Sequence, residues 1–151
     1  MKILFATDGG KQSDAAIAML RNFALSDGDE IRIVTVVDMA VPLSIDVYGG
    51  YLPDTGEIEK MARDNAAKLI EREAERVSNL FPEKNVAILS EVLFGSPDSR
   101  IVEIAESTHS DIIVLGSHGY SRWERLLVGS VSDSVVHHAP CSVLIVRTPP
   151  E

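Results

Sequence analysis

Five short apolar runs rich in β-branched residues recur along the chain: "KILFAT" (2–7), "IRIVTVV" (31–37), "VAILSEV" (86–92), "DIIVLG" (111–116) and "CSVLIV" (141–146). Runs of this length and content read as strands, mostly buried on both faces. Helical patterns lie between them. The first, Ser13 to Ala24, has Ala16, Ile17, Leu20, Phe23 and Ala24 on one side and Ser13 or Asp14 as a cap. The second, Glu57 to Leu80, carries an apolar stripe of Ile58, Met61, Ala62, Ala66, Leu69, Ile70, Ala74, Val77 and Leu80, and its charged residues are expected to form a solvated face. A third opens at Ser96-Pro97-Asp98 with a cap, a first-turn proline and an acid, and a fourth, from Ser130 to His138, is stopped by Pro140. Strands alternating with helices predict one α/β domain over residues 1–151: an open twisted five-stranded parallel sheet with helices on both faces.

Ligands of such sheets bind beyond the carboxyl ends of the strands, where the strand order reverses. Attention therefore falls on Asp8-Gly9-Gly10, on Asp38 and the residues beyond it, and on Gly116-Ser117-His118-Gly119. Segment 39–56 is too long for an ordinary strand-to-helix turn, and such lengths are usually functional or disordered. The stretch "GSHGYSRWERLLVGS" (116–130) places three glycines where a helix would lose about 0.5–1 kcal/mol for each relative to alanine. Gly116 ends a strand, and a turn with Gly119 would let backbone amides face a phosphate. Gly129 and Ser130 open the last helix, whose unpaired N–H groups and dipole favour an anion, with Ser130 and Ser132 as hydroxyl donors. The alternative is that the glycines only shape turns. Asp8 is placed to accept hydrogen bonds from both hydroxyls of a ribose; the alternative is that it caps the turn into the first helix.

Other chemistries are poorly matched. "FATDGGKQS" has Phe5 where a Walker A loop needs glycine and Gln12 where it needs Ser or Thr, and neither G-x-G-x-x-G nor G-x-S-x-G occurs. His137 and His138 are adjacent while His109 and His118 are isolated, so no metal site held by side chains alone is expected. Cys141 is the only cysteine, which excludes an intrachain disulfide and agrees with a reducing compartment; behind Pro140 at the head of an apolar run, it reads as buried core. A net charge of −9 disfavours nucleic acid as a partner but leaves room for a small anion held by backbone amides. No run of about 18 apolar residues is present to span a bilayer, and "MKILFATDGG" is too short for a secretory signal core, so a cytoplasmic location is expected.

Gly116, Gly119, Gly129 and Ser130 meet in full the motif G-x2-G-x9-G-(S/T), and with "GSHGYSR", "GSVSDSVVHHAPCSVLIV", "KILFATDGG", "VTVVD" and "GSPDSRIVEIA" the chain resembles the ATP-binding branch of the universal stress protein family along its whole length. The resemblance implies a Rossmann-like sheet and a cytoplasmic, stress-response module that binds ATP (or AMP or ADP). It would sense or report ATP, or hydrolyse it slowly. By position it implies Asp8 for ribose, the backbone of Val36 or Val37 for adenine, and Ala6 and Thr7 near the base. Gly116, Ser117, His118, Gly119, Gly129, Ser130, Val131 and Ser132 would surround the phosphates, with magnesium or manganese bridging their oxygens. Gly10 departs from the family's usual serine. Segment 39–56 is expected to be a lid, with Tyr48 or Tyr51 over the ligand and Gly49-Gly50 as hinge. His118 and Asp133 read as loop and helix-surface residues rather than as a general base. The last strand, followed only by a short polar tail, predicts a homodimer through residues 142–146, as the resemblance also implies. Two other functions fit the same residues: an adenylating or nucleotide-hydrolysing enzyme with an acceptor under the long loop, and a nucleotide-independent interaction domain.

Overall fold

In the computed structural model, which describes residues 1–38, 55–117 and 129–147, each of the five apolar runs is a strand. The order along the chain is β1 (Lys2–Ala6), α1 (Lys11–Leu20), β2 (Glu30–Val37), α2 (Thr55–Ser78), β3 (Ala87–Phe94), α3 (Pro97–Thr108), β4 (Ile112–Gly116), α4 (Ser130–His138) and β5 (Ser142–Val146). The strands form one parallel sheet in the order β3-β2-β1-β4-β5. The chain therefore winds outward from β1 to β3, crosses back, and continues on the other side through β4 and β5.

Alternation along β1 sends Ile3 and Phe5 to one face and Leu4 and Ala6 to the other. Ile3 and Phe5 pack with Ile31, Ile33 and Val114 against Ala16, Ile17 and Leu20 of α1 and Ile70 and Val77 of α2. Leu4 and Ala6 pack with Val34, Ile113 and Leu115 against Ile101 and Ala105 of α3 and Val135 of α4. Burying each such aliphatic or aromatic side chain contributes about 1.5–3 kcal/mol, and covering both faces explains why the central strands have no polar side.

Two local expectations change. Helix α1 begins after Gly10, so Ser13 is an interior, buried residue and not a cap, and the helix stops at Leu20 rather than at Ala24. Helix α2 buries its stripe only in part: Ala66, Ile70 and Val77 are covered, while Ile58 and Met61 are 55% and 64% exposed. Length explains the overhang, because 24 helical residues reach about 36 Å and the eight residues of β2 about 26 Å.

The supposedly solvated face of α2 also contains a fully buried acid, Glu73. Its carboxylate accepts hydrogen bonds from Arg72 Nη2 (2.8 Å) and Arg76 Nη1 (3.0 Å), and Arg76 Nη2 reaches Asp14 Oδ1 on α1 at 2.8 Å. The burial of Glu73 is thus compensated by two guanidinium groups that remain partly in solvent, and one of them ties α2 to α1. On the opposite face, Asp98 at the start of α3 accepts Ser96 Oγ (2.6 Å) and Ser134 Oγ of α4 (2.7 Å). These hydroxyls, helped by the Ser99 amide, lower its carboxyl pKa to about 2.

Replacing Arg72 and Arg76 together by alanine leaves Glu73 buried without a counter-charge and should cost about 3–5 kcal/mol in urea denaturation. Adding Glu73→Gln should recover most of that loss; no recovery would mean that the arginines act by packing alone. For Asp98 the folded pKa lies below the unfolded one, so its contribution is complete above about pH 4 and disappears as pH falls through about 2. The melting temperature of Asp98→Asn should accordingly lie below that of the parent at pH 6, and the two should converge near pH 2.

Candidate functional site

The chain leaves the adjacent carboxyl ends of β1 and β4 towards opposite faces, α1 joining one helical layer and α4 the other. Between them lies a cavity of about 240 Å³. Ala6, Thr7, Asp8 and Ser13 line one side, and Gly116, Ser117 and Gly129 through Ser132 line the other. Val34, Val36, Ile101 and Leu115 form an apolar wall. Predicted residues from three separate parts of the chain thus meet at the point where the strand order reverses.

Asp8 sits in the sharp turn from β1 into α1. Gly9 takes φ +75°, a left-handed conformation that calls for glycine, and a Cβ there would also press on the flexible end of Leu69 at 2.5 Å. The Gly10 amide donates to Asp8 Oδ1 (2.9 Å), and Ser13 Oγ donates to the same oxygen (3.2 Å). Asp8 therefore does cap the turn, as the alternative had it, but with one oxygen. Its Oδ2 makes no hydrogen bond to any described residue, and Asp8 is among the residues that line the cavity.

The opposite wall is the start of α4. Its first intrahelical bond runs from the Asp133 amide to the Gly129 carbonyl (2.8 Å), so the amides of Ser130, Val131 and Ser132 precede the helical ladder. All three residues line the cavity, at the positive end of the helix dipole. Gly129 has φ −59°, a conformation open to any residue, so backbone geometry does not require glycine there.

Ser132 behaves differently from the expectation of a free hydroxyl donor. Its Oγ lies 2.9 Å from the Gly129 carbonyl and 3.1 Å from the Ser117 carbonyl, so its single proton is directed at the backbone. The Ser117 carbonyl also accepts the Gly129 amide (2.8 Å), and the Ser117 amide donates to Val146 of β5. Together these bonds fix the first turn of α4 to the end of β4. Ser130, by contrast, is exposed at the cavity rim.

Gly116 has a packing role in addition to any contact with a ligand. A Cβ on it would come within 2.6 Å of Gln12 Cβ, so its absence lets the start of α1 settle on the end of β4. Strand alternation separates Val36 from Val37. The Val34 carbonyl accepts the Thr7 amide on the β1 side, and the Val37 carbonyl accepts the Gly95 amide on the β3 side. Val36 shares the direction of Val34, beyond the end of β1, and lines the cavity; Val37 does not.

Ser13, Val34, Ile101 and Leu115 belong to the cavity but escaped the sequence reading. Ser13 had the one available signal, a hydroxyl five residues after Asp8 at a helix start, where it looked like a cap. His118 and Gly119, and the proposed lid residues Tyr48, Gly49, Gly50 and Tyr51, lie outside the described residues. Asp133 is exposed on α4 beside His137. His137 and His138 each meet the carbonyl four residues back through Nδ1, at 2.8 Å. Cys141 is only partly buried, and burial together with the nearby Asp111 charge raises its thiol pKa, the opposite of an activated nucleophile. Among the described residues no group of three or more His, Cys, Asp or Glu is placed to hold a metal, and no helix is long and apolar enough to cross a membrane.

Comparison with known proteins agrees with this architecture. A universal stress protein of Methanocaldococcus jannaschii is 34% identical over 148 residues, covering 98% of this chain and 82% of the relative. Among solved structures, a universal stress protein from Lactobacillus plantarum superposes with a TM-score of 0.76 at 24% identity, covering 97% of each chain. A universal stress protein in complex with cAMP gives 0.66 at 21% identity, covering 99% of this chain and 98% of the other. One from Arabidopsis thaliana with AMP bound gives 0.66 at 16%, covering 99% and 92%. The model of the universal stress protein family matches residues 1–147, and the chain belongs to that family.

Proposed function

We propose that the cavity at the ends of β1 and β4 binds an adenine nucleotide, ATP in preference or AMP or ADP, and that the protein is a nucleotide-responsive regulatory module of the stress response. The observation that carries this reading is the polarity of the cavity. Amides that precede the first intrahelical bond and a helix dipole line one side, a carboxylate whose second oxygen has no partner among the described residues lines the other, and an apolar wall completes the cavity. Phosphates suit the α4 end, ribose hydroxyls suit Asp8 Oδ2, and the base suits the wall of Val34, Ile101 and Leu115 with the Val36 backbone at its edge. Solved relatives that carry AMP and cAMP support the same class of ligand.

A net charge of −9 does not oppose this, since local amides act over a few ångströms whereas the diffuse surface charge is screened over about 8 Å at physiological salt. Magnesium or manganese would be held chiefly by phosphate oxygens. Asp8 is the one ionisable group among the described lining residues, and its role towards ribose leaves it no part as a base, which favours slow hydrolysis at most. Strand β5 is the sheet edge beside the site, with Val143, Leu144 and Ile145 partly exposed, and favours a homodimer through residues 142–146.

Calorimetric titration with Mg–ATP should give saturable binding of one nucleotide per chain, and Asp8→Ala should weaken it by roughly tenfold or more, the loss of a charge-assisted hydrogen bond. Absence of heat together with absence of competition by AMP or ADP would overturn the reading. Light scattering at micromolar concentration should return twice the chain mass, and a monomer mass would remove the β5 interface.

A further inference from the structure

The turn that carries Asp8 contains a line of buried hydroxyls that ordinary capping does not require. The Gly9 amide donates to Thr7 Oγ1 (3.1 Å), Thr7 Oγ1 is 2.7 Å from Ser13 Oγ, and Ser13 Oγ is 3.2 Å from Asp8 Oδ1. The direction of this line follows from its two ends. An amide only donates and an ionised carboxylate only accepts, so the single Ser13 proton goes to Asp8 and the Thr7 proton to Ser13. Thr7 and Ser13 are 7% and 3% exposed, which shields the line from exchange with water.

We propose that Ser13 is a positioning residue that makes the cavity select ribonucleotides over 2′-deoxyribonucleotides, an inference that rests on the nucleotide reading above. Asp8 Oδ1 receives the Gly10 amide and the Ser13 hydroxyl, and two donors fill its two lone-pair sites. Every donor of the ligand must then converge on Oδ2, held in one orientation. A vicinal diol supplies two donors to that oxygen; a 2′-deoxy sugar supplies one and leaves the second site unpaired. Without Ser13 the Gly10 amide alone holds Oδ1, which regains an open lone-pair site; the carboxylate turns more readily, the ligand's donors are no longer confined to Oδ2, and the discrimination between the two sugars falls. Ser13 touches no part of the ligand in this scheme and acts through Asp8.

Affinities for ATP and 2′-deoxy-ATP, both as magnesium complexes, are measured by calorimetry on the parent chain and on Ser13→Ala, Ser13→Thr and Thr7→Val, with circular dichroism as a check of folding. The parent should prefer ATP by roughly tenfold, the value of a hydrogen bond to a charged group. Ser13→Ala should reduce that preference to about two- to threefold, and Ser13→Thr, which keeps the hydroxyl, should restore it. Equal weakening of both nucleotides by Ser13→Ala, with the preference intact, would overturn the inference and leave the nucleotide reading standing. A parent that binds neither nucleotide would sink the nucleotide reading itself. Should Ser13→Ala fail to fold, the same ratio is read in Thr7→Val, which removes the donor that orients Ser13, and an unchanged preference there is equally decisive against the proposal.

Discussion

The reversal of strand order between β1 and β4 is the constraint on which the site depends. A right-handed crossover from β3 to β4 has to carry the chain past β2 and β1 before it can add a new strand, and the helices that follow β1 and β4 then lie on opposite faces. Among the described residues, the gap between them at the carboxyl edge is a cavity. The cavity follows from topology, and the particular residues decide only what fits it. Gly116 shows the interplay well, since its missing side chain lets α1 sit close to β4, and Asp8 and the start of α4 line one cavity.

Two kinds of polar contact hold that geometry. Backbone and hydroxyl bonds from Ser117, Gly129 and Ser132 pin the first turn of α4 to the end of β4, while the Thr7–Ser13–Asp8 line fixes the carboxylate across the cavity. Further from the site, Asp98 links α3 to α4 and Arg76 links α2 to α1, each joining two helices of one layer. Fixed dipoles arranged in this way can receive an anion without a local excess of cationic side chains, which is compatible with a chain whose overall charge is strongly negative.

Much of this was legible before any coordinates. The five strands, the proline and serine that open α3, the proline that ends α4, and the pairing of Asp8 with the glycine motif depend on local chemistry and on hydrophobic period, which a linear sequence carries. Ser13, Glu73 and Ser132 depart from their expected surroundings for a common reason. Each has a polar side chain whose ordinary place is a cap, a solvated face or a free donor, and each is buried only once the helices pack on the sheet: Glu73 beside arginines of its own helix, Ser13 against Thr7 at the end of β1 and Ser132 against Ser117 at the end of β4. The exposed Ile58 and Met61 are the converse case, apolar residues with the right period on a helix longer than the strands it covers.

By itself the sequence determined the class of fold, the strand-end positions where a ligand could be met, and the family, because periodicity, turn chemistry and motif spacing are properties of neighbours along the chain. Only the tertiary structure decided that Val36 rather than Val37 lines the cavity, that Gly116 serves packing, that one oxygen of Asp8 has no partner among the described residues, and that Ser13 holds the other. These depend on strand pairing, helix approach and hydrogen-bond partners distant along the chain, and such relations come into being only when the sheet assembles.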